Sequence, residues 1–118
     1  MDEQISSINT QIAFTSALVF AISLNIYTSL AYKDILINKE NSKFTIKQIY
    51  KISLLSANIT LIVTIYFLIT TYIDYKNNPS SSSENFFVAA ILSTSAQSLR
   101  TYSLFKYPNE IFGVEDII

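Results

Sequence analysis

The chain has 118 residues, of which half are apolar and only 14% are charged, and its net charge is −1. This charge gives no electrostatic basis for binding nucleic acid. Because the sequence contains neither cysteine nor histidine, it lacks disulfides, thiol nucleophiles and the usual ligands of zinc, copper and haem. We therefore expect no cofactor and no metal centre.

The first long apolar segment covers residues 4–32, which are 29 residues without an Asp, Glu, Lys or Arg. A helix needs about 20 apolar residues to cross a hydrocarbon core about 30 Å thick. We predict a transmembrane helix over about 8–32. Asp2 and Glu3 precede it, whereas a cleavable signal peptide begins with basic residues. We therefore expect this segment to stay in the membrane.

The second apolar segment follows a polar connection over residues 33–48. Its charge-free run covers residues 52–73, which are 22 residues rich in Ile, Leu, Val, Phe and Tyr. A run of this length is too long for a strand, and a backbone in lipid must satisfy its own hydrogen bonds. The segment therefore predicts a second transmembrane helix over about 49–74.

The third segment follows a connection over residues 75–84, in which Pro79 precedes four serines, Ser80 to Ser83. We predict that these residues stop the helix and form a flexible loop. Residues 85–105 then predict a third transmembrane helix, with the Arg100 side chain extending to the headgroups. The alternative is a re-entrant or interfacial segment, since the charge-free part, residues 85–99, has only 15 residues.

Together these segments predict one all-α domain over residues 1–118, an integral membrane protein with three transmembrane helices in a small bundle. Residues 106–118 form a surface tail in this prediction. Lys33, Lys39, Lys43, Lys47 and Lys51 lie in or beside the first connection, whereas the second holds Lys76 alone. Since Lys and Arg favour the cytoplasmic side, we predict that the N-terminus is outside and the C-terminus inside, which requires three spans.

Small and polar residues recur at helical spacing within the predicted spans. They are Ala13, Ala17, Ala21 and Asn25 in the first, Ser53, Ala57, Thr60 and Thr64 in the second, and Ala89, Ser93, Ala96, Gln97 and Arg100 in the third. Small residues let helix backbones approach closely, and an Asn can hydrogen-bond across the contact. We interpret these stripes as the surfaces that pack the three helices together, and the alternative is that one stripe is an oligomer interface.

Asn58, Gln97 and Arg100 are the most polar side chains in or near the predicted spans. In one interpretation Arg100 reaches the cytoplasmic surface while Asn58 and Gln97 satisfy each other or a backbone group. In the alternative they line a pore.

The function classes can be narrowed by what the predicted spans lack. All nine carboxylates fall at ends or in connections, which argues against a proton or ion carrier. The sequence offers no phosphate-binding loop, histidine base or cysteine nucleophile, so we predict that the protein is not an enzyme. We expect a structural or accessory subunit of a larger membrane-associated assembly, including a viral membrane or capsid-linked one, whose partners are the lipid bilayer, other membrane proteins and copies of itself.

The alternative function is a self-assembling pore former. Three spans with the N-terminus outside and the C-terminus inside resemble the topology of one class of phage holins. Those proteins usually end in a basic tail, whereas this chain carries Glu115 and Asp116 near its end. A small channel or carrier is a third possibility, against which the distribution of carboxylates argues.

Overall fold

The computed structural model describes residues 2–106, and over this range the chain is all-α, with three long helices in a bundle. Helix α1 is Asp2–Asn38, α2 is Ile46–Asn77 and α3 is Ser81–Lys106, and a 3₁₀ turn, Lys39–Asn41, follows α1. Helix α2 is central and packs against both other helices. The longest dimension is 57 Å, close to the about 55 Å expected for the 37 residues of α1.

The first connection is shorter than predicted. Residues 33–38 continue α1 and residues 46–48 begin α2, so the prediction of a polar connection over 33–48 was wrong at both ends. This stretch contains no Pro or Gly. Polar residues do not by themselves end a helix that continues beyond an apolar segment. The helix ends instead where Lys39 adopts a left-handed conformation, with φ of 47°.

The start of α2 is fixed by a pair of reciprocal hydrogen bonds. The Gln48 backbone N–H donates to Thr45 Oγ1 at 3.2 Å, and the Thr45 backbone N–H donates to Gln48 Oε1 at 3.0 Å. This capping box satisfies two backbone donors that the first turn would leave unpaired. The turn also packs on an apolar cluster formed by Ala31, Ile35 and Ile49, with Tyr32, Phe44 and Ile46 at its edge.

The second connection is also shorter than predicted, since only residues 78–80 separate α2 from α3. The prediction of a flexible serine loop was wrong, because Ser81 to Ser83 form the first turn of α3. The Ser83 backbone N–H donates to Ser80 Oγ at 3.0 Å and the Ser80 backbone N–H donates to Ser83 Oγ at 2.9 Å. The serines therefore start the helix, as residues with short hydroxyl side chains commonly do.

Two of the helices are long and apolar enough to cross a membrane, by length and composition: α1 with the turn that follows it, and α2. Only 11% of the most apolar stretch of the first and 22% of that of the second is buried inside the bundle. The third helix is not among the helices that meet this criterion in the part of the chain that the structure describes. Most large apolar side chains of the bundle therefore point outwards.

Adjacent helices run antiparallel, and aromatic rings fix their register. The rings of Phe14 on α1 and Tyr66 on α2 stack with centroids 4.0 Å apart and planes 3° apart. At the turn between α2 and α3, the Phe87 ring lies 5.5 Å from Tyr72 and 5.9 Å from Tyr75. The predicted tail beyond Lys106 lies outside the described residues.

Candidate functional site

The predicted stripe on α1 is an internal contact in its second half only. Ala21 is fully buried and Asn25 half-buried against α2, whereas Ala17 is half-buried and Ala13 is exposed. The buried face continues along α1 through residues that the sequence analysis did not name. These are Thr28, Ala31 and Ile35. The spacing of seven between Ala21, Thr28 and Ile35 was the available signal, and it follows the repeat of two packed helices.

The predicted stripe on α2 lies at an internal contact, where the main-chain oxygens of Ala57 and Thr64 accept hydrogen bonds from α3. Ser53 and Ala57 are buried, and Thr60 and Thr64 are half-buried. Ser56, which the sequence analysis did not single out, is completely buried. As the central helix, α2 has two contact faces, and a single stripe could describe only one of them.

The α1–α2 contact is centred on the Ser56 hydroxyl. Its oxygen lies 2.9 Å from the Ala21 main-chain oxygen and 2.9 Å from Asn25 Oδ1. A hydroxyl has one proton, so Ser56 donates to one of these oxygens at a time or shares its proton between them. The direct bond to a backbone oxygen of α1 is possible because Ala21 has only a methyl side chain, which lets the two helices approach closely.

The α2–α3 contact is made by side chains that donate to main-chain oxygens of the neighbouring helix. The bonds run from Gln97 Nε2 to the Ala57 oxygen at 3.3 Å, from Thr94 Oγ1 to the Thr64 oxygen at 3.2 Å, and from Tyr50 Oη to the Leu104 oxygen at 2.9 Å. A carbonyl oxygen has two lone pairs, so it can accept such a bond while it remains bonded within its own helix. We call these bonds, together with those of Ser56, the polar seam.

The predicted packing face of α3 was wrong, because the residues that face α2 lie about one position later in the sequence than most of the predicted ones. Ala89, Ser93 and Ala96 are exposed. The side that faces α2 is instead formed by Ala90, Thr94, Gln97, Thr101 and Leu104. The alternating spacing of four and three is that of two helices packed side by side, and it includes Gln97 but not the small residues that the stripe emphasised.

The three polar residues that the sequence singled out lie in three different environments. Gln97 donates to Ala57 and to Thr101 Oγ1, the latter at 3.3 Å, so it is satisfied by backbone and hydroxyl groups and not by Asn58. Arg100 is exposed, and its Nη2 lies 3.5 Å from Asn25 Oδ1, a long and weak bond between α3 and α1. Asn58 is half-buried and lies one helical turn from the exposed Leu55 and Ile62 of α2.

One polar atom of this region is buried without a partner in the part of the chain that the structure describes. Ser53 is 1% exposed, and its Oγ forms no hydrogen bond. Ser53 lies one helical turn before Ser56 and Ala57, on the same side of α2 as the polar seam. A buried hydroxyl without a partner destabilises a fold by about 1–3 kcal/mol.

Charge is distributed unequally between the two ends of the bundle. The end of α1, the start of α2 and the end of α3 meet at one end, which carries seven of the eight cations of the chain, Lys33, Lys39, Lys43, Lys47, Lys51, Arg100 and Lys106. Of the described carboxylates, this end has Asp34 and Glu40. The opposite end combines Lys76 with Asp2, Glu3, Asp74 and Glu84. We call the first the basic end.

Between residues 2 and 106, no group of three or more Asp, Glu, His or Cys side chains is placed to hold a metal ion. The expectation that the protein uses no cofactor stays a prediction. The chain matches no protein-family model, no curated protein and no solved structure. What the described geometry offers is therefore a contact surface between helices, with hydrogen bonds that hold them together.

Proposed function

We propose that the chain is a multi-pass integral membrane protein and serves as a non-enzymatic structural or accessory subunit of a larger membrane-associated assembly. The observation that carries this proposal is the outward orientation of the apolar side chains. The apolar helices of a water-soluble core are mostly buried, whereas α1 and α2 bury only 11% and 22% of their most apolar stretches. Lipid is the solvent in which such a surface is stable.

We propose that α3 also spans the membrane. Its 26 residues reach about 39 Å at 1.5 Å per residue, which exceeds the hydrocarbon thickness of about 30 Å. Its polar Thr94 and Gln97 point to α2, whereas Phe86, Leu92 and Leu99 are each about two-thirds exposed. The exposed apolar side chains support contact of α3 with lipid, and the bonds of Thr94 and Gln97 keep these two polar side chains at the contact with α2.

The orientation that we propose places the basic end in the cytoplasm, the N-terminus outside and the C-terminus inside. It is supported by the concentration of seven cations at one end of the bundle. Lysine and arginine in short loops and near helix ends determine which side of a membrane a segment occupies.

The subunit role is supported by the hydrogen bonds of the polar side chains, which join the helices of the bundle to one another. Asn25, Ser56 and Gln97 bond to neighbouring helices, so the polar seam stabilises the bundle. No described carboxylate lies in the middle of a helix, where proton and ion carriers often hold one.

The experiment that tests this role is gentle extraction of the protein from its native membrane, with measurement of the native mass and identification of the proteins that co-purify. We expect a mixed complex of fixed stoichiometry. A protein that extracts as a monomer and co-purifies with nothing would contradict the proposal.

A second candidate function, a self-assembling pore, is favoured by Arg100. The Arg100 side chain is exposed, and it lies about five residues, or about 7 Å, from the middle of the predicted third span. In a pore-forming oligomer this guanidinium would face water. The test is leakage of a small dye from sealed vesicles that contain the protein, which the pore former produces and the accessory subunit does not.

A further inference from the structure

Helix α2 has a third face, on the side opposite the residues that it buries in the bundle. It is formed by Leu55, Asn58, Ile62, Ile65 and Ile69, spaced alternately by three and four residues, and we call it the Asn58 face. Its apolar members are 42 to 59% exposed, and Asn58 is half-buried. A helix with this spacing presents a continuous stripe to a partner helix of the same kind. The stripe covers the 15 residues 55–69, which corresponds to about 21 Å, or about two-thirds of the hydrocarbon thickness.

The Asn58 carboxamide is the polar group of this face, and its side chain forms no hydrogen bond to any residue from 2 to 106. The carboxamides of Asn25 and Gln97, in contrast, are both bonded within the bundle. Hydroxyl side chains on a helix surface can donate to a carbonyl of the preceding turn, as Ser23 does to the Val19 oxygen at 2.9 Å. A carboxamide has two donors and an acceptor, which the preceding turn cannot satisfy together.

The depth of Asn58 makes this unmet bonding capacity costly. Asn58 lies three to four residues, or about 5 Å, from the middle of the predicted second span. The side chain is too short to reach the headgroups, which long Lys and Arg side chains can do from helix ends. Hydrocarbon offers no hydrogen-bond partner to a polar group at this depth.

We propose that the Asn58 face is the contact with a second, parallel copy of this chain, and that the two Asn58 carboxamides hydrogen-bond to each other across a two-fold axis. A carboxamide is self-complementary because it donates and accepts. In a symmetric pair each residue of the face meets its counterpart at the same depth, so the copy supplies the partner that lipid lacks. This inference rests on the proposed membrane insertion.

The proposal assigns self-association to a different surface from the one that the small-residue stripe of α1 indicates. Ala21 and Asn25 are already occupied by Ser56 of α2. They are therefore unavailable to a second chain unless the bundle opens, whereas the Asn58 face is available in the intact bundle.

The geometry can be tested directly because the chain has no native cysteine. Single variants Ile62→Cys and Ile69→Cys, in the full chain reconstituted in vesicles, should form disulfide-linked dimers on mild oxidation. Leu92→Cys and Leu99→Cys on the outward side of α3 are matched controls, with exposure as high or higher. Cross-linking that is as efficient from α3 as from α2 would overturn the proposed interface.

The role of the carboxamide is tested by energy transfer between labelled copies, measured over a series of lipid-to-protein ratios. We expect Asn58→Leu to raise the dimer dissociation constant about tenfold and Asn58→Gln, which keeps the carboxamide, to leave it within about twofold. A tenfold change in the dissociation constant corresponds to about 1.4 kcal/mol, which is what one hydrogen bond between helices can contribute. Circular dichroism should show the same helix content for all three proteins.

The remaining outcomes of these experiments have distinct meanings. A wild-type protein that is monomeric at every ratio, or an Asn58→Leu variant that associates as the wild type does, would overturn the proposal. Cross-linking in native membranes to a product heavier than a dimer of this chain, with no dimer, would overturn it and indicate a different partner. Removal of the protein from vesicles by alkaline carbonate would instead contradict the proposed membrane insertion.

Discussion

Ser53 and Ser56 show how much depends on the partner of a single hydroxyl. Both side chains are almost completely buried on the central helix, one turn apart. The Ser56 hydroxyl bonds to α1, whereas the Ser53 hydroxyl has no partner within residues 2–106. The two serines therefore form a matched pair, in which the same substitution should lower the stability at Ser56 but not at Ser53.

We expect Ser56→Ala to lower the free energy of unfolding by about 1 kcal/mol, because an interhelical bond of this kind contributes about 0.5–2 kcal/mol. Unfolding in mixed micelles of mild and denaturing detergent measures this change. Thr60→Ala is the control, since the Thr60 hydroxyl donates to the Ser56 main-chain oxygen within α2. An equal loss of stability in both variants would show that Ser56 does not join α1 to α2.

We expect Ser53→Ala to leave the free energy of unfolding unchanged or to raise it by up to about 1 kcal/mol. The substitution removes a buried hydroxyl that lacks a partner, at the cost of a very small change in volume. The same detergent titration, with Ser56→Ala in parallel, measures it. A loss of 1 kcal/mol or more would mean that the Ser53 hydroxyl has a partner in the folded protein.

At this scale the sequence identified the kinds of residue but not all of their roles. It indicated Ala21, Asn25 and Gln97 as contact residues, and each lies at a contact between helices. It could not distinguish Ser53 from Ser56, because the partner of each hydroxyl depends on the rotation of α2 about its axis. A rotation of 100°, the angle between successive residues, changes which side chain meets a neighbouring helix.

The ends of the helices depend on local hydrogen bonds more than on hydrophobicity. The apolar runs predicted three helices, and the structure confirms three in a bundle. Their limits differ because Lys39, Thr45 and Ser80 determine where helices end or begin. A transmembrane prediction based on hydrophobicity locates the part of a helix in lipid and gives no information on the turns that continue into the headgroup region.

The start of α3 offers a test within a run of identical residues. We expect Ser80→Ala to destabilise the bundle by about 1 kcal/mol, because Ser80 Oγ accepts the Ser83 backbone N–H at the helix start. Ser82→Ala changes the same residue type two positions later, in the first turn of α3, and should change the stability by less than about 0.5 kcal/mol.

Detergent unfolding of the two serine variants, together with circular dichroism, measures the difference. Similar stabilities for Ser80→Ala and Ser82→Ala would contradict the assignment of Ser80 as the residue that caps α3. They would favour the flexible serine loop that the composition alone predicts.

On the scale of the whole molecule, most large apolar side chains lie on the outside of the bundle, and the residues of the polar seam lie between its helices. The bonds of Ser56, Thr94 and Gln97 join the helices together with a small number of buried apolar residues. Composition could predict the apolar surface. It could not predict that α2 would be central, because the order of three antiparallel helices depends on which faces fit together.

The orientation of the bundle and the span of α3 can be tested in one experiment, again because the chain has no native cysteine. Asn41→Cys reports on the first connection, Ser82→Cys on the start of α3 and Lys106→Cys on its end. Intact cells that express each variant are treated with a maleimide that does not cross membranes. The same labelling after permeabilisation is the control for reactivity.

We expect Ser82→Cys to be labelled in intact cells, and Asn41→Cys and Lys106→Cys only after permeabilisation, since the basic end should face the cytoplasm. Labelling of both Ser82→Cys and Lys106→Cys from outside would mean that α3 begins and ends on the same side and does not span. Labelling of Asn41→Cys and Lys106→Cys alone would mean that α3 spans in the reverse orientation. Replacing Lys43, Lys47 and Lys51 by Gln should then distinguish the cause. If these lysines orient the bundle, the variant should show mixed labelling, because the four cations that remain at the basic end, Lys33, Lys39, Arg100 and Lys106, give a weaker bias.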